Sequence, residues 1–186
     1  MTPMRVGLTG TPGTGKTRVA EQLKQYDYRV ISLNDLAVDQ RFVCGKDSQR
    51  DTKLVDIEAL NSYIHKQYTS DELVFFEGHI AHLLTCMDKI ILLRCRPTLL
   101  LKRLQQKQWA AQKIKENVDA EALDVILCET AERFHEEDVF ELDTTSKKPN
   151  EISAIIHEII KQNFSPISTY TMGRIDWSEE YFQDHV

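Results

Sequence analysis

The sequence predicts a three-layer α/β domain whose central sheet is parallel. Three observations carry this prediction. Residues 73–76 (LVFF) and 89–93 (KIILL) are continuous apolar runs without polar alternation, the pattern of strands buried on both faces. Stretches with helical apolar spacing separate the apolar runs, giving a β-α alternation. A glycine-rich octapeptide, GTPGTGKT at residues 10–17, stands between the first predicted strand and the first predicted helix.

The first strand is expected over 5–9, where Val6 and Leu8 are apolar. The helix over 16–26 carries Val19, Ala20 and Leu23 on its inner stripe. A second strand is expected over 28–31. Ser32 and Asp35 then form a Ser-x-x-Asp capping pattern for a short helix over 34–38. Residues 39–51 are polar, mixed in charge and weakly periodic, and read as a mobile excursion. A helix over 56–67 follows, with Leu60 and Ile64 at helical spacing, before the strand that ends at Glu77. Pro97 suits the first turn of a helix reaching Gln106. Residues 105–116 lose the apolar face and gather Lys107, Lys113 and Lys115. A long helix over 116–135, a strand over 139–142 and a final helix opened by Pro149 complete the domain. In that final helix Ile152, Ile155, Ile156 and Ile159 repeat at three and four. One domain over 1–164 is expected, followed by an aperiodic tail with aromatics over 165–186.

The chain has 186 residues, 23 Lys plus Arg and 29 Asp plus Glu, a formal charge of −6. With 41% hydrophobic and 28% charged residues it is compositionally globular and long enough to bury a core without staples. The acidic balance argues against a dedicated duplex-DNA binder. No apolar run approaches the roughly 18 residues of a membrane span. Residues 1–4 lack the basic and apolar regions of a signal peptide, so the expected compartment is the cytoplasm. Cys44, Cys86, Cys95 and Cys128 make neither a zinc knuckle nor a CxxC pair, and are expected to be buried and reduced.

The octapeptide matches G-x-x-x-x-G-K-S/T. Gly13 and Gly15 let the backbone turn its N–H groups inward around phosphate oxygens, and the helix that follows presents its positive end to the same anion. Lys16 reaches the β- and γ-phosphates, the Thr17 hydroxyl ligates Mg²⁺, and Arg18 lies beside them. The expected fold is therefore the P-loop NTPase fold, with ATP and Mg²⁺ as ligands. A GTPase would carry Asn-Lys-x-Asp and Asp-x-x-Gly strings, and neither occurs. A helicase or remodelling ATPase would need more chain. Small P-loop kinases remain, in which one lobe closes over the acceptor and a lid closes over the donor. The polar excursions 39–51 and 105–116 stand where such insertions occur, although ordinary solvated loops would have the same composition.

An ordered set of strings resembles one family. Beyond GTPGTGKT these are NDLA at 34–37, LVD at 54–56, EGH at 77–79, LLRC at 92–95, KIKENVDAEAL at 113–123, SKKP at 146–149 and RIDWSEEY at 174–181. Together they resemble the atypical adenylate kinases called adenylate kinase isoenzyme 6, including archaeal members, over essentially the whole chain. The resemblance implies phosphoryl transfer from ATP to AMP or another nucleoside monophosphate, together with ATP hydrolysis. It also implies a part in late maturation of the small ribosomal subunit, beside a ribosomal protein and the pre-rRNA. A monophosphate-binding lobe over about 32–54 and a lid over about 106–116 belong to the same expectation.

The resemblance extends to individual residues. An acidic-x-His pattern falls on Glu77 and His79. The carboxylate can hold a water on Mg²⁺ or orient an attacking one, and the imidazole can relay a proton or bond phosphate. A helix-terminal acid and a satisfied surface histidine are the alternatives. Where the family has an arginine followed by Gly-Tyr, this chain has Lys107-Gln108-Trp109, and lysine lacks arginine's planar fork. Lys148 falls at a family position beside the adenine ring. Arg41, Arg50 and Lys53 are candidates for gripping a monophosphate, or ordinary surface charge. Two main readings stay open: a nucleoside monophosphate kinase, and an ATP-hydrolysing assembly switch with residual kinase activity; a kinase for another small acceptor, such as a sugar or a cofactor precursor, is an outside alternative. The acceptor base and the oligomeric state are open in both.

Overall fold

The computed structural model of the chain describes residues 4–47, 52–69, 72–165 and 168–178. Its centre is a five-stranded parallel sheet of β1 (Met4–Thr9), β2 (Arg29–Ser32), β5 (Leu73–Glu77), β6 (Lys89–Arg94) and β7 (Val139–Asp143), in the order β2-β5-β1-β6-β7. The chain order reverses at β1. In open parallel sheets that is where ligands sit, outside the carboxyl ends of the strands.

Alternate strand residues feed two cores, which is why these strands carry no polar alternation. On one face Val6, Leu8, Phe75, Ile91 and Leu93 meet α1 (Lys16–Leu23) and α7 (Pro149–Lys161) through Val19, Leu23, Ile152, Ile156 and Ile159. On the other, Val74, Phe76, Ile90 and Leu92 meet α2 (Leu33–Asp39) and α3 (Ile57–Gln67), with Leu33, Leu60 and Ile64 buried. Each such aliphatic side chain contributes roughly 1.5–3 kcal/mol relative to exposure, enough to dock short helices that would be marginal alone. A third cluster of Cys95, Leu100, Leu104, Ile114 and Val118 joins α4 (Pro97–Gln105) to α5 (Ala111–Ala122). The expected cap of α2 forms, Ser32 Oγ accepting from Asp35 N, and Asp56 caps α3, its Oδ1 accepting from Ala59 N.

Several expectations need correction. The excursion 39–51 contributes β3 (Val43–Asp47), which pairs antiparallel with β4 (Thr52–Val55). Neither face of β3 is fully buried, so its pairing left no apolar alternation to read. The helix expected over 116–135 starts earlier and is broken. α5 runs from Ala111, and α6 (Val125–Ala131) follows Asp124, whose φ of 56° interrupts the helix. Ile114 and Val118 are the inward face of α5, and the segment 106–116 comprises a short link, 106–110, and the first turns of this helix. Cys86 and Cys95 are buried, but Cys44 and Cys128 are exposed.

The tail is not free where it is described. The backbone N–H of Arg174 donates to Glu141 Oε2 on β7, and the Arg96 guanidinium lies 5.6 Å from the Trp177 ring centroid. Arg50, and residues 179–181 of the RIDWSEEY string, lie outside the described residues. Among the described residues no helix is long and apolar enough to cross a membrane.

Candidate active site

Sheet register assembles the site. Glu77 at the end of β5 pairs with Leu8 of β1 on one side and Ser32 of β2 on the other, and Gly78 N donates to Leu8 O. The strand ends therefore bring the start of the phosphate loop, the Glu77 carboxylate and the cap of α2 into one line.

The loop leaves β1 at Thr9 and closes on itself before α1. Thr14 donates to Thr11 O from both its backbone N and its Oγ1. Gly13 has φ 100°, and a Cβ there would stand 2.7 Å from Leu100 Cδ1. Gly15, φ 105°, takes the N-cap of α1 in the left-handed region, so no side chain caps the helix. The first amides of α1 are left to an anion at that end. Lys16 is only 8% exposed, and its Nζ donates to Gly10 O at 2.7 Å and Thr11 O at 3.1 Å. Burial lowers its pKa to about 8, with Glu77 and Glu121 opposing and Lys107 reinforcing the shift. The ammonium thus rests on carbonyls of the loop whose amides would receive phosphate.

Thr17 is exposed one residue further on, and its Oγ1 donates to Glu77 Oε1 at 3.3 Å. A hydroxyl and a carboxylate this close are hard oxygen donors of the type Mg²⁺ prefers, so these residues fit that ion. His79 stands in the turn after Glu77 and is exposed. The enclosing walls, and then the charge of Lys16, disfavour its protonated form and push its pKa down. His82 is fully buried and bridges Thr9 Oγ1 and Glu129, which ties β1 to α6.

These groups line a cleft of ≈ 920 Å³. Gly13, Gly15, Lys16, Thr17, Arg18, Glu77, His79, Lys107 and Lys148 all reach it. Sequence reasoning missed Arg103, Lys147 and Thr144 on the donor side, and Asn34 and Asp35 opposite. Arg103 is held by Thr144 O and Cys95 Sγ. The lining cations outnumber the acids Glu21, Asp35 and Glu77, so an acidic chain carries a cationic cleft, which focuses anions. Arg41 and Lys53 do not reach the cleft. Trp109 packs on the α4–α5 corner with Lys107 and Lys113 Nζ at 5.2 and 4.8 Å from its ring centroid, so it serves packing rather than the cleft wall.

Fold and site together define a P-loop domain of the kinase type. Solved structures agree on the fold. A shikimate kinase from Acinetobacter baumannii, in complex with shikimate, is similar with a TM-score of 0.60 at 14% identity, covering 87% of this chain and 95% of that one. A sugar kinase from Janibacter sp. is similar with a TM-score of 0.57 at 11% identity, covering 90% and 100%. The family profile described as an AAA domain matches residues 6–124. A protein of Archaeoglobus fulgidus named "putative adenylate kinase" is 38% identical over 177 residues, 95% of this chain and 93% of that one. One of the same name from Methanocaldococcus jannaschii is 34% identical, covering 96% of each. The chain belongs to this family of archaeal-type P-loop proteins.

Proposed function

We propose that the protein transfers the terminal phosphoryl group of ATP to AMP or another nucleoside monophosphate, and also hydrolyses ATP. The observation that supports this most is the cleft itself. A phosphate loop with Lys16 occupies one wall, and beyond Glu77 the cleft continues to Ser32, Asn34 and Asp35, leaving room for an acceptor. The relatives' shared name points to the same reaction class.

In this reading Lys16 leaves the carbonyls of Gly10 and Thr11 for the β- and γ-phosphates, while Arg103, Lys107 and Lys148 face the rest of the donor. Thr17 and Glu77 would hold Mg²⁺, which when bound neutralises phosphate charge. An acceptor phosphate oxygen attacks the γ-phosphorus in line as the bond to the β-bridging oxygen breaks, yielding two nucleoside diphosphates. Catalysis is positioning and charge neutralisation. His79, which lines the same cleft, bonds phosphate or passes a proton from an attacking water in this reading.

A second reading has one observation in its favour. Residue 174 bonds Glu141, which is part of a buried network that reaches Thr11 in the phosphate loop. That suits an ATP-dependent switch acting in small-ribosomal-subunit maturation, with a ribosomal protein and pre-rRNA as partners in the cytoplasm. The assay that separates the two follows ADP formation from ATP alone and then with each monophosphate. Strong stimulation by AMP supports the kinase. Equal rates with and without acceptor support the switch.

A further inference from the structure

A densely bonded buried carboxylate outside the cleft is Glu121, in the last turn of α5. It is 2% exposed, as is Arg94 at the end of β6. Glu121 Oε1 accepts from Arg94 Nε and from Cys95 N, both at 2.9 Å, and the Glu121 carbonyl accepts from Arg94 Nη2. Its other oxygen, Oε2, accepts from Thr11 Oγ1 at 2.5 Å. Arg94 is further tied to Glu141 and Asp124. The carboxylate is thus clamped on one side to the end of β6 and offers its free side to a single residue of the phosphate loop.

Thr11 is the residue on which that loop is organised. Its carbonyl accepts from Thr14 N, Thr14 Oγ1 and Lys16 Nζ. Fixing the Thr11 side chain therefore fixes both the closure of the loop and the resting place of Lys16. Nothing within the loop itself holds that hydroxyl; the acceptor comes from a helix 110 positions later in the chain.

We propose that Glu121 is the positioning residue of the phosphate loop. Held by Arg94, it anchors Thr11 and keeps the loop in the form whose amides receive a phosphate chain. This rests on the nucleotide-binding half of the reading above. A charge-assisted hydrogen bond in a buried site is strong, so its loss weakens nucleotide binding about tenfold. The effect falls on binding because the loop is mispositioned before any chemistry begins.

The test uses the full chain and its Thr11→Val, Thr11→Ser, Glu121→Gln and Thr11→Val/Glu121→Gln variants. ADP affinity is measured by fluorescence competition, ATP hydrolysis is resolved into kcat and KM, and circular dichroism with a thermal midpoint checks folding. The expected result is an about tenfold loss of ADP affinity for Thr11→Val, with a matching rise in KM for ATP and kcat within twofold. Thr11→Ser, which keeps the hydroxyl, regains the affinity, and the double variant is no worse than Glu121→Gln. A purely structural role would lower kcat through loss of folded protein and leave KM unchanged, which overturns the proposal. So does a folded Thr11→Val protein that binds ADP within twofold of wild type, a result that bears on Thr11 even if Glu121→Gln does not fold. Multiplying effects in the double variant also overturn it. Wild-type protein that binds neither ADP nor ATP overturns the nucleotide reading itself, a result visible before any variant is compared.

Discussion

Nucleotide affinity should fall with rising pH because the phosphate-binding lysine is buried. The pKa of Lys16 is lowered to about 8, chiefly by loss of water around the ammonium. A bound phosphate chain supplies the negative charge that burial withholds and raises that pKa again, so binding takes up a proton wherever the free lysine is neutral. The sign follows from linkage: affinity is full below pH 8 and declines as pH passes it. With a free pKa of about 8, the fraction of protein holding the proton falls about tenfold between pH 7 and pH 9, and the dissociation constant rises by the same factor. At pH 8 about half a proton is taken up per nucleotide. The terminal phosphate of ADP, with a second pKa near ~6, is already ionised over this range and contributes little. Titration calorimetry of ADP binding in two buffers of different ionisation enthalpy reads both quantities. An affinity constant within twofold from pH 7 to 9, with no proton uptake at pH 8, would refute the reasoning.

Other outcomes follow from the same geometry. Glu77→Gln should depress ATP hydrolysis and phosphoryl transfer together, because its carboxylate lies 3.3 Å from the Thr17 hydroxyl. His79→Ala should depress hydrolysis more than transfer to AMP, and equal losses would remove the selective role. Arg94→Met leaves Glu121, Glu141 and Asp124 without their shared cation, and breaking a buried ion cluster in this way costs roughly 3–5 kcal/mol. In a domain of this size that lowers the thermal midpoint by on the order of 10 °C, and a midpoint within about 2 °C of wild type would contradict it. Truncation after Ser165 spares the buried Phe164 but removes the Arg174 N–H from Glu141, at a cost of roughly 1–3 kcal/mol. An unchanged midpoint in that truncation would show that residues 168–178 do not stabilise the domain.

What the sequence revealed depended on how local each signal is. The phosphate loop was legible because its eight residues are contiguous and their spacing follows from the chemistry of a bound phosphate. β5 and β6 were legible because both faces of each strand are buried, which leaves an unbroken apolar run. β3 was not, because a two-stranded hairpin with no fully buried face needs no apolar pattern. The break at Asp124 depends on a left-handed residue that carries no glycine to mark it. Glu77, His79, Lys107 and Lys148 were found through a family resemblance, and all four reach the cleft. Arg103 and Glu121 were missed for the opposite reason. Each sits among ordinary helical charges, and only tertiary packing brings Arg103 to the cleft wall and Glu121 to Thr11.

The most direct measurement is a single turnover with ATP labelled in its terminal phosphate, mixed with AMP and Mg²⁺ over the wild-type protein and the Lys16→Ala variant. The account predicts label in newly formed ADP with wild type and almost none with Lys16→Ala, whose fold is intact by circular dichroism. Label that appears only as inorganic phosphate, or turnover by Lys16→Ala within about twofold of wild type, would contradict phosphoryl transfer to a nucleotide through this loop.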